Sequence, residues 1–284
     1  MVVLNHPYLG KEVVLVSKHE KLKLIKPAFD QLVGCELIEV SIDTDKLGTF
    51  SGEIERLAPP RETAILKARL GMKETNSFLA LASEGSVGPD PLISFTNSNI
   101  EHLVLVDDEN DIVISEFFRS FEITVAKLTV APDQDLTEFL LTADFPNHGL
   151  IVRPNSEKIS NCIKGITSFE DLVQAIKISS KTSPDGLVVV ESDLRALYSP
   201  SRQKNIEQVA NLLALRVSQL CPNCQSPGWG QVGYEKGLVC VNCAQLNPNA
   251  IRQEKLGCVK CDYANLGKVI AITLDPANCN YCNP

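Results

Sequence analysis

The sequence predicts an α/β fold, a mixed, largely parallel sheet flanked by helices, with a small C-terminal double zinc-ribbon domain. Three observations predict it. Short apolar runs alternate with segments of helical periodicity over the first two hundred residues, the pattern of strands joined by helices. Eight of the ten cysteines fall between residues 221 and 282 as four C-x-x-C pairs. A length of 284 residues suffices for one sizeable domain and a smaller one. The expected division is an α/β domain over 1–220 and a ribbon over 221–284.

The elements follow in order. EVVLVS (12–17) reads as a buried strand. Leu22, Ile25, Phe29 and Leu32 then recur three and four apart on one helical face. Pro27 predicts a kink or a late start in that helix, and Gly34 its stop. ELIEVSI (36–42) is the next strand, and the polar DTDKLGTFSGEIERLAPP a loop. Pro60 suits the first position of a helix with Ile65, Ala68 and Met72 on its apolar face. FLALA (78–82) is a third strand, and HLVLVDDENDIVISEFF (102–118) a hairpin around an acidic turn. FEITVAKLTV supplies another strand, followed by a short helix over 134–143 and a strand near Leu150–Val152. A capping box of Thr167 and Glu170 opens the next helix. After the strand GLVVVES (186–192), Ser199-Pro200 begins a long helix striped by Ile206, Val209, Leu213, Val217 and Leu220. That helix runs into Cys221 and forms the natural boundary.

Composition narrows the function classes. Net charge is −8 and the pI about 5.1, which disfavours a general nucleic-acid binder, since phosphate backbones require a positive field. Residues 221–284 hold five Lys/Arg and four Asp/Glu, so the negative charge lies upstream. No apolar run approaches the roughly 18 residues that span a bilayer, and no secretory leader pattern opens the chain. These features read as a cytoplasmic protein without a membrane partner.

The cysteine pairs carry the most specific signal. CPNC (221–224), CVNC (240–243), CVKC (258–261) and CNYC (279–282) are each a two-thiolate grip, and two grips close a tetrahedral four-cysteine site. Cys221, Cys224, Cys240, Cys243, Cys258, Cys261, Cys279 and Cys282 therefore imply two structural zinc ions. Gaps of 15 residues between the first and second pairs and 17 between the third and fourth fit sequential pairing. Nested and interleaved pairings are also open. With all ligands from protein there is no position for substrate. A nucleic-acid role for the ribbon is disfavoured by its near-neutral charge. Cys35 and Cys162 stand alone and read as small apolar residues.

LALASEGSVGPDP (79–91) raises a different possibility. Glu84 follows a buried strand, and Gly85, Gly88, Pro89 and Pro91 read as its loop exit. Open α/β sheets bind ligands outside the carboxyl ends of their strands. Glu62 and Lys67 lie on the preceding helix, and Ser17, Lys18 and Lys21 follow the first strand. Two carboxylates with lysines and backbone N–H groups would form a Mg²⁺-phosphate site at Glu62 and Glu84. The lysines also read as the solvated face of a helix. Glu191, Asp193, Arg195 and Arg202, in ESDLRALYSPSR, form either a further binding cluster or a structural ion-pair group. His148 is a lone loop histidine expected at the surface, and no Ser-His-Asp arrangement is recognisable.

Two resemblances add to this. ETAILKA (62–68) followed by ALASEGS (80–86) resembles the E-N-A-x-x-K-A … A-D-D-S-G pattern of inosine triphosphate pyrophosphatases, over residues 12–90. It implies metal binding by Glu62 and Glu84 and phosphate contact by Lys21. Ser83 stands where that family has the first of its paired acids, and Thr63 where it has asparagine. Across nearly the whole chain, DTDKLGTFSGEI, KARLGM, ASEGSVGPDP, ESDLRALYSPSR and the four C-x-x-C pairs resemble an uncharacterised bacterial domain-of-unknown-function family. Here Leu197 and Ser199 replace that family's usual histidine and asparagine.

The expectation is a Mg²⁺-dependent hydrolase of a phosphorylated small molecule or nucleotide, with Glu62, Glu84 and Lys67 at the reacting centre. Ser17, Lys18, Lys21, Ser83, Gly85, Ser86, Gly88, Asp193, Arg195 and Arg202 would contact substrate. The alternative is a non-enzymatic ligand-binding or interaction protein whose ribbon docks a partner.

Overall fold

A computed structural model describes residues 5–17, 20–43 and 58–284. Lys18 and most of the acidic DTDKLGTFSGEIERL stretch lie outside the described residues. The first sheet joins β1 (Glu12–Val16), β2 (Glu36–Val40), β3 (Leu79–Pro89), β4 (Asn97–Asp107) and β5 (Ile112–Ser120) in the order β2-β1-β3-β4-β5. β1 is parallel to β2 and β3, whereas β3, β4 and β5 are antiparallel. The sheet is therefore mixed in equal parts rather than largely parallel, because the β3–β4 connection is a hairpin and not a helical crossover.

Strand alternation sorts the residues into two faces. Val13, Leu15, Leu81, Leu103, Leu105 and Ile114 pack beneath α1 (Leu22–Leu32) and α5 (Pro200–Ser218). Val14, Val16, Ala80, Ala82, Val104 and Val106 pack against Ala64, Ala68 and Met72 of α2 (Pro60–Thr75). The small alanines of β3 let α2 lie close. α1 starts at Leu22 and runs through Pro27, so Pro27 does not delay it. Gly34, at φ 75°, closes the helix by donating its N–H to the Phe29 carbonyl at 2.8 Å.

The expected loop after residue 82 is strand. β3 pairs with β4 along its whole length, from Leu79 opposite Asp107 to Pro89 opposite Asn97. Glu84, Gly85, Ser86 and Gly88 lie in this extended ribbon, and no anion-binding nest forms there. β1 accompanies β3 only as far as Val16 opposite Ala82. Ser83 to Gly85 thus still flank the carboxyl end of β1.

A second, antiparallel sheet follows, of order β6-β9-β7-β8. It comprises β6 (Lys127–Val130), β7 (Leu150–Pro154), β8 (Ile163–Ile166) and β9 (Val188–Ser192), with α3 (Thr137–Thr142) and α4 (Phe169–Thr182). β8 was not expected: IKGI is short, and Gly165 breaks its apolar run with φ 75°. The α4 cap is Ser168, whose hydroxyl accepts the Asp171 N–H at 3.1 Å, one residue later than the predicted Thr167 and Glu170. The chain ends in an antiparallel meander of β10 (Gly230–Val239), β11 (Leu246–Gly257) and β12 (Ala264–Val269). Among the described residues no helix is long and apolar enough to cross a membrane.

Candidate functional site

Charged side chains gather where β1 ends and β3 continues. On the α5 face, Gly85 faces Glu101 across the β3–β4 ladder. Arg202, in the first turn of α5, places Nε 2.6 Å from Glu101 Oε1 and Nη2 3.2 Å from Oε2. Both residues are buried. A Cβ on Gly85 would sit 2.5 Å from Arg202 Nη2 and from both Glu101 oxygens, so the ion pair occupies the space a side chain would need. The Asn99 amide donates to Glu101 Oε1 at 2.9 Å, and Asn205 donates to Asn99 Oδ1 at 2.8 Å. Burial alone would raise the Glu101 pKa. The Arg202 charge and hydrogen bonds, with Lys21 and Asn99, outweigh it and hold the carboxyl below the ordinary range.

Lys21 enters the same cluster from the residue before α1. Its Nζ donates to the Ser83 hydroxyl at 2.8 Å, and its N–H lies 3.4 Å from Ser17 Oγ. Burial and the nearby Arg202 charge push the Lys21 pKa down from 10.5 to about 8, against the opposing pull of Glu101 and Glu84. On the opposite face of β3, Lys67 of α2 holds Glu84 Oε2 at 2.5 Å, with both side chains largely buried. Lys21, Lys67, Arg202, Ser17, Ser83, Glu84 and Gly85 are thus brought together.

Other expected residues stand apart. Glu62 is exposed in the first turn of α2, with Arg61 Nη1 3.5 Å from its carboxylate. Glu84 is engaged by Lys67, so the geometry offers no support for Mg²⁺ at Glu62 and Glu84. Gly88 meets nothing within 4 Å of a built Cβ, and Ser86 contributes a backbone carbonyl to Asn99 Nδ2 at 3.2 Å. The 191–202 cluster divides. Glu191 pairs with Arg153 at 3.1 Å and Lys127 at 3.4 Å. Asp193 accepts from Arg195 Nη2 at 2.5 Å and from the Gly165 N–H at 2.9 Å. That second pair ties β8 to the turn carrying Tyr198, whose ring Arg195 covers at 4.7 Å. Only Arg202 reaches the strand rim.

Sequence reasoning missed three participants. Glu101 and Asn99 were hidden inside a strand, where only their register opposite Gly85 and Val87 identifies them. His148 is buried rather than superficial. Its ring bridges Asp144 Oδ2 at 2.8 Å and Ser201 Oγ at 2.9 Å.

The thiols form two groups, Cys221–Cys224–Cys258–Cys261 and Cys240–Cys243–Cys279–Cys282, each with its ligand atoms within 4.8 Å of one another. The pairing is interleaved, first knuckle with third and second with fourth, not sequential. The meander dictates this. β10 and β11 are antiparallel, with Gly230 opposite Gly257, so the knuckle before β10 meets the one after β11. The knuckle between them meets the one beyond β12. A ten-residue extended strand covers about 30 Å and carries Cys240 away from Cys224.

Donor set and spacing fit zinc. Four sulfurs about 2.3 Å from one ion lie about 3.8 Å apart. Cys221–Cys261 and Cys240–Cys282 are at 3.8 Å, Cys243–Cys279 at 3.7 Å and Cys224–Cys258 at 3.5 Å. The two sites repeat one outer arrangement. Asn223 approaches Cys261 Sγ at 3.8 Å and Asn242 approaches Cys282 Sγ at 3.6 Å, each from the third position of a knuckle. Backbone N–H groups of Asn242, Lys260 and Tyr281 point at Cys240, Cys258 and Cys279 at 3.3–3.4 Å. Such donors stabilise thiolates and fix ligand orientation. Each group can hold one zinc ion.

A family model described as a domain of unknown function, DUF6671, matches residues 67–284. The chain belongs to that family. The DUF6671 match begins at Lys67 and takes in Glu84, Glu101, Arg202 and all eight thiols, while Ser17, Lys21 and Glu62 precede it. No curated protein matches the chain.

Proposed function

We propose that this DUF6671 protein is a two-zinc protein that binds a small phosphorylated ligand at the rim where β1 ends. The observation that carries the reading is Lys21. Its side chain is buried, beside Arg202, and its hydrogen-bond acceptor among the described residues is the Ser83 hydroxyl, not a carboxylate. Glu101 is paired with Arg202 and Glu84 with Lys67, so Lys21 is the surplus cation of this buried cluster, and an incoming anion would offset the cost of keeping it there. The resemblance of ETAILKA and ALASEGS to inosine triphosphate pyrophosphatases supports a phosphate-bearing ligand. Hydrolysis assisted by Mg²⁺ would require Glu84 to leave Lys67 and meet Glu62, so binding is the reading the geometry favours.

Lys21 makes the test sharp. The unfolded chain keeps the lysine proton up to about pH 10.5, whereas the folded chain releases it near 8. Stability should therefore rise with pH between about 8 and 10.5, and below 8 the buried charge costs up to about 3 kcal/mol. Lys21→Met should raise the urea midpoint at pH 7, flatten the alkaline rise and abolish stabilisation by anions. Thermal shifts with inorganic phosphate, pyrophosphate and nucleoside triphosphates, with and without Mg²⁺, check this. The proposal fails if none of these stabilises the native protein, or if Lys21→Met responds equally.

A further inference from the structure

Asp144, His148 and Ser201 form a continuous hydrogen-bonded chain that neither the zinc centres nor the Lys21 cluster uses. The loop builds half of it. The His148 N–H donates to the Asp144 carbonyl at 2.9 Å, and this turn sets the ring Nδ1 2.8 Å from Asp144 Oδ2. α5 builds the other half. Ser201 is its second residue, with Oγ 2.9 Å from His148 Nε2.

Donor and acceptor roles follow from the neighbours. The Asn147 amide and the His148 ring hold the Asp144 carboxyl below the usual range, so it accepts. Nδ1 therefore carries the hydrogen, and Nε2 is left to accept from the Ser201 hydroxyl. The Ser201 N–H also points at Nε2, at 3.2 Å, and the Thr124 N–H donates to Ser201 Oγ at 3.1 Å. This is the tautomer a general base needs, with nucleophile, base and orienting carboxylate each within hydrogen-bond reach. The amino end of a 19-residue helix favours negative charge developing beside it.

We propose that Ser201 is a nucleophile activated by His148 and positioned by Asp144, in a site that transfers or hydrolyses carboxylic esters. Ser201 Oγ forms a bond to the ester carbonyl carbon while its proton passes to His148 Nε2. The bond to the leaving alcohol oxygen breaks, and that oxygen takes the proton. Water, giving a proton to the same nitrogen, then attacks the acyl-serine carbonyl; the bond from that carbon to Oγ breaks, the carboxylic acid leaves, and the proton returns to Oγ.

The same contacts also cap α5, so the test separates chemistry from stability. The full zinc-loaded chain is treated with a fluorophosphonate probe and, separately, with 4-nitrophenyl acetate. The expected result is one covalent adduct, mapped by peptide mass spectrometry to Ser201, together with ester turnover. Ser201→Ala should lose both. His148→Gln, which retains a hydrogen-bonding group, should slow labelling about a hundredfold or more while melting as a folded two-zinc protein. Asp144→Asn should shift the pH profile of labelling at unchanged melting temperature. No adduct on the native chain, an adduct elsewhere, or undiminished labelling in folded His148→Gln overturns the proposal.

Discussion

Between residues 5 and 218 the interior is aliphatic, arranged in three clusters on two sheets, whereas from 221 to 284 it is mostly sulfur. In that last stretch the buried apolar side chains are Pro227, Leu238 and the thiols Cys221, Cys240 and Cys279. Leu266, Val269, Ile270 and Ile272 are exposed, the last at 82%. The first region is stabilised by removing apolar surface from water. The second has too little of it buried to offset the entropy of ordering some sixty residues, and its thiols sit where metal would take over that role. The regions still touch. Val259 packs against the cluster beneath α5, and Arg216 of α5 donates to the Gly228 carbonyl at 2.7 Å and to Glu116 at 3.1 Å.

The largest expected effect tests that contrast directly. Each zinc site should contribute on the order of 10 kcal/mol of folding free energy to the ribbon, so chelation should abolish its structure and leave the two larger sheets folded. Interleaving gives a pairing test. Cys224→Ser with Cys261→Ser removes two ligands of one site and should leave one zinc per chain. Cys224→Ser with Cys243→Ser damages both sites and should leave close to none. Sequential pairing predicts the reverse, and elemental analysis of the two purified variants decides.

The next effect lies in the aliphatic region. Arg202→Met leaves Glu101 buried without its guanidinium, a loss of about 3–5 kcal/mol. The urea midpoint should fall accordingly, with zinc content still two. A loss of zinc in this variant would show that the regions depend on one another energetically, and the contrast would have to be redrawn.

Legibility in the sequence follows the range of the interactions. Helices and strands with strong periodicity, such as α5 with Ile206, Val209, Leu213 and Val217, are local and were readable. So were the eight ligands, because a C-x-x-C grip is local too. Their partnering was not, since it depends on how three strands turn back on each other. SEGSVGP misled because glycine and proline mark turns in isolation. Here glycine at 85 is demanded by a side chain, Arg202, more than a hundred positions away. Glu84 was singled out for a site at the strand end, and its ion-pair partner Lys67 was read as its colleague there. A sequence shows which charges exist and not which of them neutralise one another. His148 fell to the same blindness: Asp144 is four residues away, but Ser201 lies on a helix 53 residues further along the chain.

The smallest expected effect asks whether the second sheet stands on its own terms. At the start of α4 the Ser168 side chain satisfies a helix N–H, that of Asp171, and Glu170 and Asp171 place negative charge in the first turn. Ser168→Ala removes the acceptor and leaves the charges, so the loss should be about 1 kcal/mol. α4 packs Leu172, Ala175 and Ile176 onto the cluster formed with β7 and β9, which shares no residue with the clusters around the first sheet. Amide exchange should therefore speed up in α4 and its sheet by the factor that 1 kcal/mol implies, about fivefold, with β1, β3 and β4 unchanged. Equal acceleration in both sheets would mean that they unfold as one unit. The division that matters would then be the one at Cys221 alone, between burial and metal.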